Sequence, residues 1–175
     1  MAIERSKRPL AASRIARAAR QLLDTSTLCA IATVAPRGRA YINTAYFAWT
    51  PKLEIVWLSE PRAKHSRNIR VNDSVAITVY DSAQHWEQPD RGIQLFGAAR
   101  QVDRSAVGAF EPMYAARFPD YTGPDTQDYR FYVLRPLRLK LFDESELGSG
   151  VFVTARVARD GRTTWERTDI YRPDI

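Results

Sequence analysis

The sequence predicts a mainly β protein, an antiparallel barrel with a few peripheral helices. Two observations carry this. Strand-like runs recur at short spacing from Leu28 to Tyr171, bounded by Pro, Gly and Asp turns. Few helical stretches lie between them, which favours antiparallel pairing over a parallel sheet. At 175 residues, with 45% hydrophobic and 26% charged composition, the chain fits one domain, 1–175, with a sizeable core. No apolar run approaches the ~20 residues of a membrane span. The start, M-A-I-E-R-S-K-R-P-L, lacks the pattern of a secretory signal, so a cytoplasmic protein is expected. Cys29 is the sole cysteine; it falls in an apolar strand pattern and reads as a core thiol rather than a nucleophile.

The elements follow in order. Residues 10–23 place Leu10, Ile15, Ala18, Ala19, Leu22 and Leu23 at near-helical spacing, with Arg14, Arg17 and Arg20 on the other side. This predicts a helix covering the core rather than a membrane anchor, since its apolar face is alanine-rich and weak. Leu28–Val34 and Tyr41–Trp49 flank the turn Pro36-Arg37-Gly38-Arg39 and read as a hairpin. A third strand covers 53–59, a short basic helix 63–71, and a strand 74–81. Residues 82–90 read as a surface loop, and 92–102 as a strand bent or bulged at Gly97. Residues 104–118 have helical spacing that Pro112 interrupts. After a loop to 128 come strands at 129–134, 137–142, 150–157 and 163–171.

Chemistry concentrates in residues 57–72. Arg62, Lys64, His65, Arg67 and Arg70 stand close together where a strand passes into a helix, and Ser59 precedes Pro61 as at a helix start. Free amides and side-chain charge then point the same way, which makes an anion site. The bland alternative is a solvated basic helix face. The net charge of +6 is spread through the chain with no contiguous cationic block, so a small anionic ligand is expected ahead of nucleic acid. His65 and His85 are the only histidines, twenty residues apart, and no metal site is expected from them.

Four segments in order carry a resemblance to a known family. They are an N-terminal helix; the hairpin L-C-A-I-A-T-V-A-P-R-G-R-A-Y-I-N-T-A-Y-F; the unit W-L-S-E-P-R-A-K-H-S-R-N-I-R-V-N-D-S-V-A-I; and the strand G-I-Q-L-F-G-A-A-R. Together, over roughly residues 14–142, they resemble the pyridoxamine 5'-phosphate oxidase-like, FMN-binding split-barrel proteins. The resemblance implies a split barrel and an FMN groove at a homodimer interface. It implies cofactor contacts from Asn43 and Thr44 beside the flavin, from Ser59, Lys64 and His65 near the phosphate, and from Gln94 of the neighbouring subunit. His65 departs from the family pattern, because a neutral imidazole offers one donor and no full charge where the family often has Lys. Arg67 or Arg62 would join Lys64 in neutralising the phosphate. Tyr46, Phe47 and Trp49 could face the flavin, although barrel core is the commoner place for such residues.

The function implied is an FMN-dependent oxidoreductase acting on an unidentified small substrate, with no catalytic residue assigned. No Ser-His-Asp pattern or carboxylate pair offers another chemistry. The tail T-T-W-E-R-T-D-I-Y-R-P-D-I has no His. It therefore lacks the Arg-X-His element of the oxidase branch, which argues against pyridoxine-phosphate oxidase activity itself. Two alternatives stay open: a deazaflavin-dependent reductase, and a binding protein without turnover that holds flavin or haem. For haem, His65 or His85 would have to serve as axial ligand.

Overall fold

A computed structural model describes residues 2–123 and 128–172. The tail positions 173–175 and loop positions 124–127 lie outside the described residues. The strands are β1 (Ala2–Ser6), β2 (Leu28–Ala35), β3 (Arg39–Trp49), β4 (Ile55–Ser59), β5 (Ser74–Tyr80), β6 (Arg91–Gln101), β7 (Arg130–Asp143), β8 (Val151–Val157) and β9 (Thr163–Arg172). The helices are α1 (Ala12–Leu23), α2 (Lys64–Val71), α3 (Glu111–Arg117) and the single turn α4 (Glu144–Leu147). The strand order is β1-β9-β8-β7-β4-β3-β2-β5-β6, and β6 also pairs with β7. The run from β7 through β6 thus closes on itself as a six-stranded antiparallel barrel, the fold class the sequence predicts.

The chain divides into two compact units, and β5, β6 and β7 each contribute to both. The first comprises residues 1–26, 78–95 and 137–175. In it β8 pairs with β9, β9 with β1, and the end of β7 with β8. Helix α1 lies on β9 and buries Ile15, Ala18, Ala19, Leu22 and Leu23, the stripe read from its spacing. The Thr163 hydroxyl donates to the Ala12 carbonyl at 3.0 Å and ties the helix start to β9. Strand β1 has no counterpart in the sequence reading. Its side chains carry no apolar alternation, and its pairing with β9 adds to the backbone ladder the ion pairs Arg172–Glu4 at 2.9 Å and Arg5–Asp169 at 3.5 Å.

The second unit comprises residues 27–77 and 96–136. The β2–β3 hairpin turns at Arg37 and Gly38, both with positive φ (65° and 72°), as a tight connection requires. Its register sets Cys29 against Ala45, Ile31 against Asn43 and Thr33 against Tyr41. Cys29, Ile31 and Thr33 are buried, so this face points inward, while Leu28, Ile42 and Tyr46 alternate onto the exposed face. Burial pushes the Cys29 thiol up to about 12, which leaves it protonated and inert. Tyr114 of α3 packs into a core with Ala48, Val56, Val102, Phe131 and Val133.

Residues 104–118 are not one helix. A 3-10 turn, Arg104–Ala109, precedes α3, and Pro112 sits in the first turn of α3, where its missing N–H costs nothing. Strand β7 runs unbroken through Arg135 and Pro136, where the sequence suggests a gap. The reason is a close approach. A Cβ at Gly97 would collide with the Arg135 carbonyl oxygen, so only glycine lets β6 lie against β7 there.

Candidate functional site

Strand β3, the β4–α2 connection and α3 enclose a cleft of about 600 Å³ within the second unit. Asn43, Thr44 and Tyr46 enter from β3, Leu58 and Ser59 from the end of β4, and Glu60, Ala63 and His65 from the turn into α2. Tyr114, Tyr121 and Tyr129 form the remaining aromatic wall. Four residues named from the sequence, Asn43, Thr44, Ser59 and His65, therefore share one cavity. Three others do not line it. Lys64 and Arg67 lie three apart on the exposed face of α2, and Gln94 is half-buried on the part of β6 that belongs to the first unit.

Helix α2 begins at Lys64, with Ala63 as N-cap and no capping side chain. Ser59 does not cap it. Buried at the end of β4, its Oγ lies 2.6 Å from His65 Nε2 and 3.3 Å from the Ser66 hydroxyl. Ser66 donates to Ser59, and which of Ser59 Oγ and His65 Nε2 donates to the other is set by the ring tautomer. Burial lowers the His65 pKa below its ordinary value of 6.5, so the ring is neutral at pH 7. Pro61 is in the turn rather than in the helix, and its carbonyl accepts from Arg70 Nη2 at 3.1 Å. Behind the cleft, the buried Asn68 amide donates to Thr33 Oγ1 at 3.0 Å and fixes α2 to β2.

Asn43 projects from the inward face opposite Ile31, and its Oδ1 is buried without a hydrogen-bond partner among the described residues. Its Nδ2 makes a long bond of 3.4 Å to the neighbouring Thr44 carbonyl. An orphaned buried acceptor costs about 1–3 kcal/mol, so rotation of this weakly held amide toward a ligand donor is favoured. Tyr114 and Tyr121 are neutral too. Burial raises the Tyr114 phenol to about 12, and burial with a hydrogen bond to Glu111 raises Tyr121. Tyr114 and Tyr121 meet edge to face at 5.3 Å, and Tyr46 meets Phe118 at 5.7 Å.

The cleft thus offers aromatic walls, hydrogen-bonding side chains, one carboxylate at Glu60 and an uncapped helix start, and it suits a flat ring with a polar rim. Sequence reasoning missed Tyr114, Tyr121 and Tyr129 as wall residues. Tyr114 was visible only as part of a helical apolar stripe, and the other two only as loop or strand-edge positions.

Residues 15–143 match the family model described as pyridoxamine 5'-phosphate oxidase, so the chain belongs to that family. Solved structures agree on the fold. A heme binding protein from Mycobacterium smegmatis superposes with a TM-score of 0.70 at 18% identity, covering 84% of this chain and 58% of that one. A pyridoxamine 5'-phosphate oxidase-related, FMN binding protein from Nostoc punctiforme gives 0.60 at 15%, covering 91% and 94%. An F420 reductase gives 0.55 at 25%, covering 69% and 94%. The chain spans less than two thirds of the heme binding protein's length. No curated protein matches the chain. Among the described residues, no helix is long and apolar enough to cross a membrane.

Proposed function

We propose that this chain binds FMN in the β3–β4–α2 cleft and acts as an oxidoreductase on a small organic substrate. The observation that carries the reading is the convergence of Asn43, Thr44, Ser59 and His65, four positions the family resemblance assigns to the cofactor, on one cleft of about 600 Å³. That volume falls within the usual range for cofactor sites. The family membership and the FMN binding protein among the structural relatives support the same assignment.

The residues fit the group. Asn43 would turn its unpaired acceptor to a ring N–H, and the tyrosine wall would exclude water from the ring faces. Ser59, the His65 ring and the amides opening α2 would take phosphate oxygens. Lys64 and Arg67 would supply screened charge from outside the cleft wall, which makes their contribution smaller than that of cations in contact. When bound, the flavin supplies hydride chemistry at its ring, and the protein supplies position and electrostatics. We also propose a homodimer, with the exposed β2–β3 face of Leu28, Ile42 and Tyr46 in the interface and Gln94 supplied to the partner's site.

Titration of the purified protein with FMN tests the assignment. Saturable binding that falls about three- to tenfold in Ser59→Ala is expected from one lost hydrogen bond. Saturable binding unaffected by Ser59→Ala and by filling the cleft with Ala45→Trp would place the flavin elsewhere.

A further inference from the structure

In the first unit the end of β7, β8, β9 and β1 lie side by side, and their side chains alternate between two faces. Leu139, Leu141, Val153, Ala155 and Val157 point to the buried one. The other face gathers cations. Register sets Arg138 of β7 opposite Arg156 of β8, and Lys140 opposite Thr154, which in turn faces Arg167 of β9. Arg5 of β1 stands opposite Asp169. These cations are far apart along the chain and form no block in the sequence; only the sheet brings them together.

Five cations on this face stand against two carboxylates. Glu166 Oε2 accepts from Arg138 Nε at 3.0 Å and from Arg156 Nε at 3.4 Å. Asp169 pairs with Arg167 at 2.9 Å and with Arg5 at 3.5 Å. Lys140 has no ion pair among the described residues, and its Nζ lies 4.6 Å from the centre of the Phe152 ring. Each carboxylate balances one of its two guanidiniums, so one guanidinium of each pair and the Lys140 ammonium stay uncompensated. Between Lys140 and Arg167, Thr154 is 3% exposed, and its Oγ1 has no hydrogen-bond partner among the described residues. An anion's oxygen would satisfy it. Phe142, Phe152 and Tyr171 border the charged row as a half-buried aromatic run across the same three strands, with ring centres 5.4 and 5.0 Å apart.

Cations spread over four strands, each about 4.8 Å from the next, match an extended anion better than a single phosphate. The aromatic border suits bases, which a polyphosphate or a lipid headgroup lacks. A second copy of this chain would bring like charges together across the same face. We propose that the β7–β8–β9–β1 face binds single-stranded nucleic acid, with phosphates along Arg138, Arg156, Lys140, Arg167 and Arg5 and bases against Phe152 and Tyr171. Such binding is separate from the flavin cleft, whose lining residues all belong to the second unit.

Fluorescence anisotropy of a labelled oligothymidylate, titrated with the full chain at stepped salt, tests this. Combining Arg5→Gln, Lys140→Gln and Arg156→Gln removes the excess charge and leaves one guanidinium on each carboxylate, so the melting temperature should hold. That variant should bind about tenfold or more weakly, with a salt slope shallower by about 2, at roughly 0.7 per lost phosphate contact. Combining Arg17→Gln, Arg20→Gln and Lys52→Gln removes the same charge from exposed positions off this face and should cost less than about threefold. Oligothymidylate should also outcompete inorganic polyphosphate of equal phosphate content. Equal losses in the two variants would make binding a matter of net charge and overturn the face. Polyphosphate that competes equally well, or a protein that binds phosphatidylserine vesicles and not the oligonucleotide, would overturn the assignment to nucleic acid. So would no binding of the oligonucleotide at low salt.

Discussion

At the scale of single residues, Asn43 and His65 say most about the site. Asn43 holds an acceptor that nothing among the described residues satisfies. Asn43→Ala should therefore weaken FMN binding about tenfold without lowering the melting temperature of the free protein, because the apo state loses a cost rather than a bond. A flavin titration beside a thermal melt checks both halves. The neutral His65 ring adds a pH dependence. Its folded pKa lies below the ordinary 6.5, so the unfolded chain takes up the proton first as pH falls. Stability from the neutral ring is whole above pH 6.5 and is lost as pH falls from there through the lower folded value. His65→Gln should flatten this acid limb in denaturant melts at stepped pH; an unchanged limb would assign the loss to other groups. The identities of Ser59 and His65 as cofactor candidates were legible through the family motif. Their bond to each other was not, because six residues and a turn separate them and only the fold sets the 2.6 Å contact.

At the scale of elements, legibility followed the strength of the apolar period. Strands β2 and β5 alternate cleanly and helix α1 keeps a helical stripe, and their extents, with that of β3, agree with the sequence to within a residue or two. Strand β1 could not be read, since Ile3 is 58% exposed and its neighbours are charged or small. The unbroken course of β7 was hidden for a different reason. Pro136 signals a break locally, and the compensating glycine lies in another strand, at Gly97. Gly97→Ala should cost about 3 kcal/mol, since the obstacle is backbone and cannot give way. Gly38→Ala, with open space and a positive φ, should cost only about 1 kcal/mol. Chemical denaturation of the two variants separates them; equal losses would contradict the close approach.

At the scale of the whole molecule, the barrel class and the family were legible because four segments stand in one characteristic order along the chain. The tyrosine wall was not, since Tyr114, Tyr121 and Tyr129 converge with β3 only in three dimensions. Assembly belongs to this scale too. Ile42 is 67% exposed and Tyr46 58% exposed on one sheet face. If that face forms the dimer, sedimentation should give twice the chain mass, and Ile42→Lys should shift it to the monomer without unfolding it. A wild-type monomer that still holds FMN would show a site complete within one chain.

The cofactor claim is tested most directly by the absorption spectrum of the purified protein, followed by heat release and chromatography of any chromophore. The account predicts an oxidised-flavin spectrum, as purified or after adding FMN, and release of FMN. A Soret band, or a colourless protein that takes up a deazaflavin but not FMN, would contradict it.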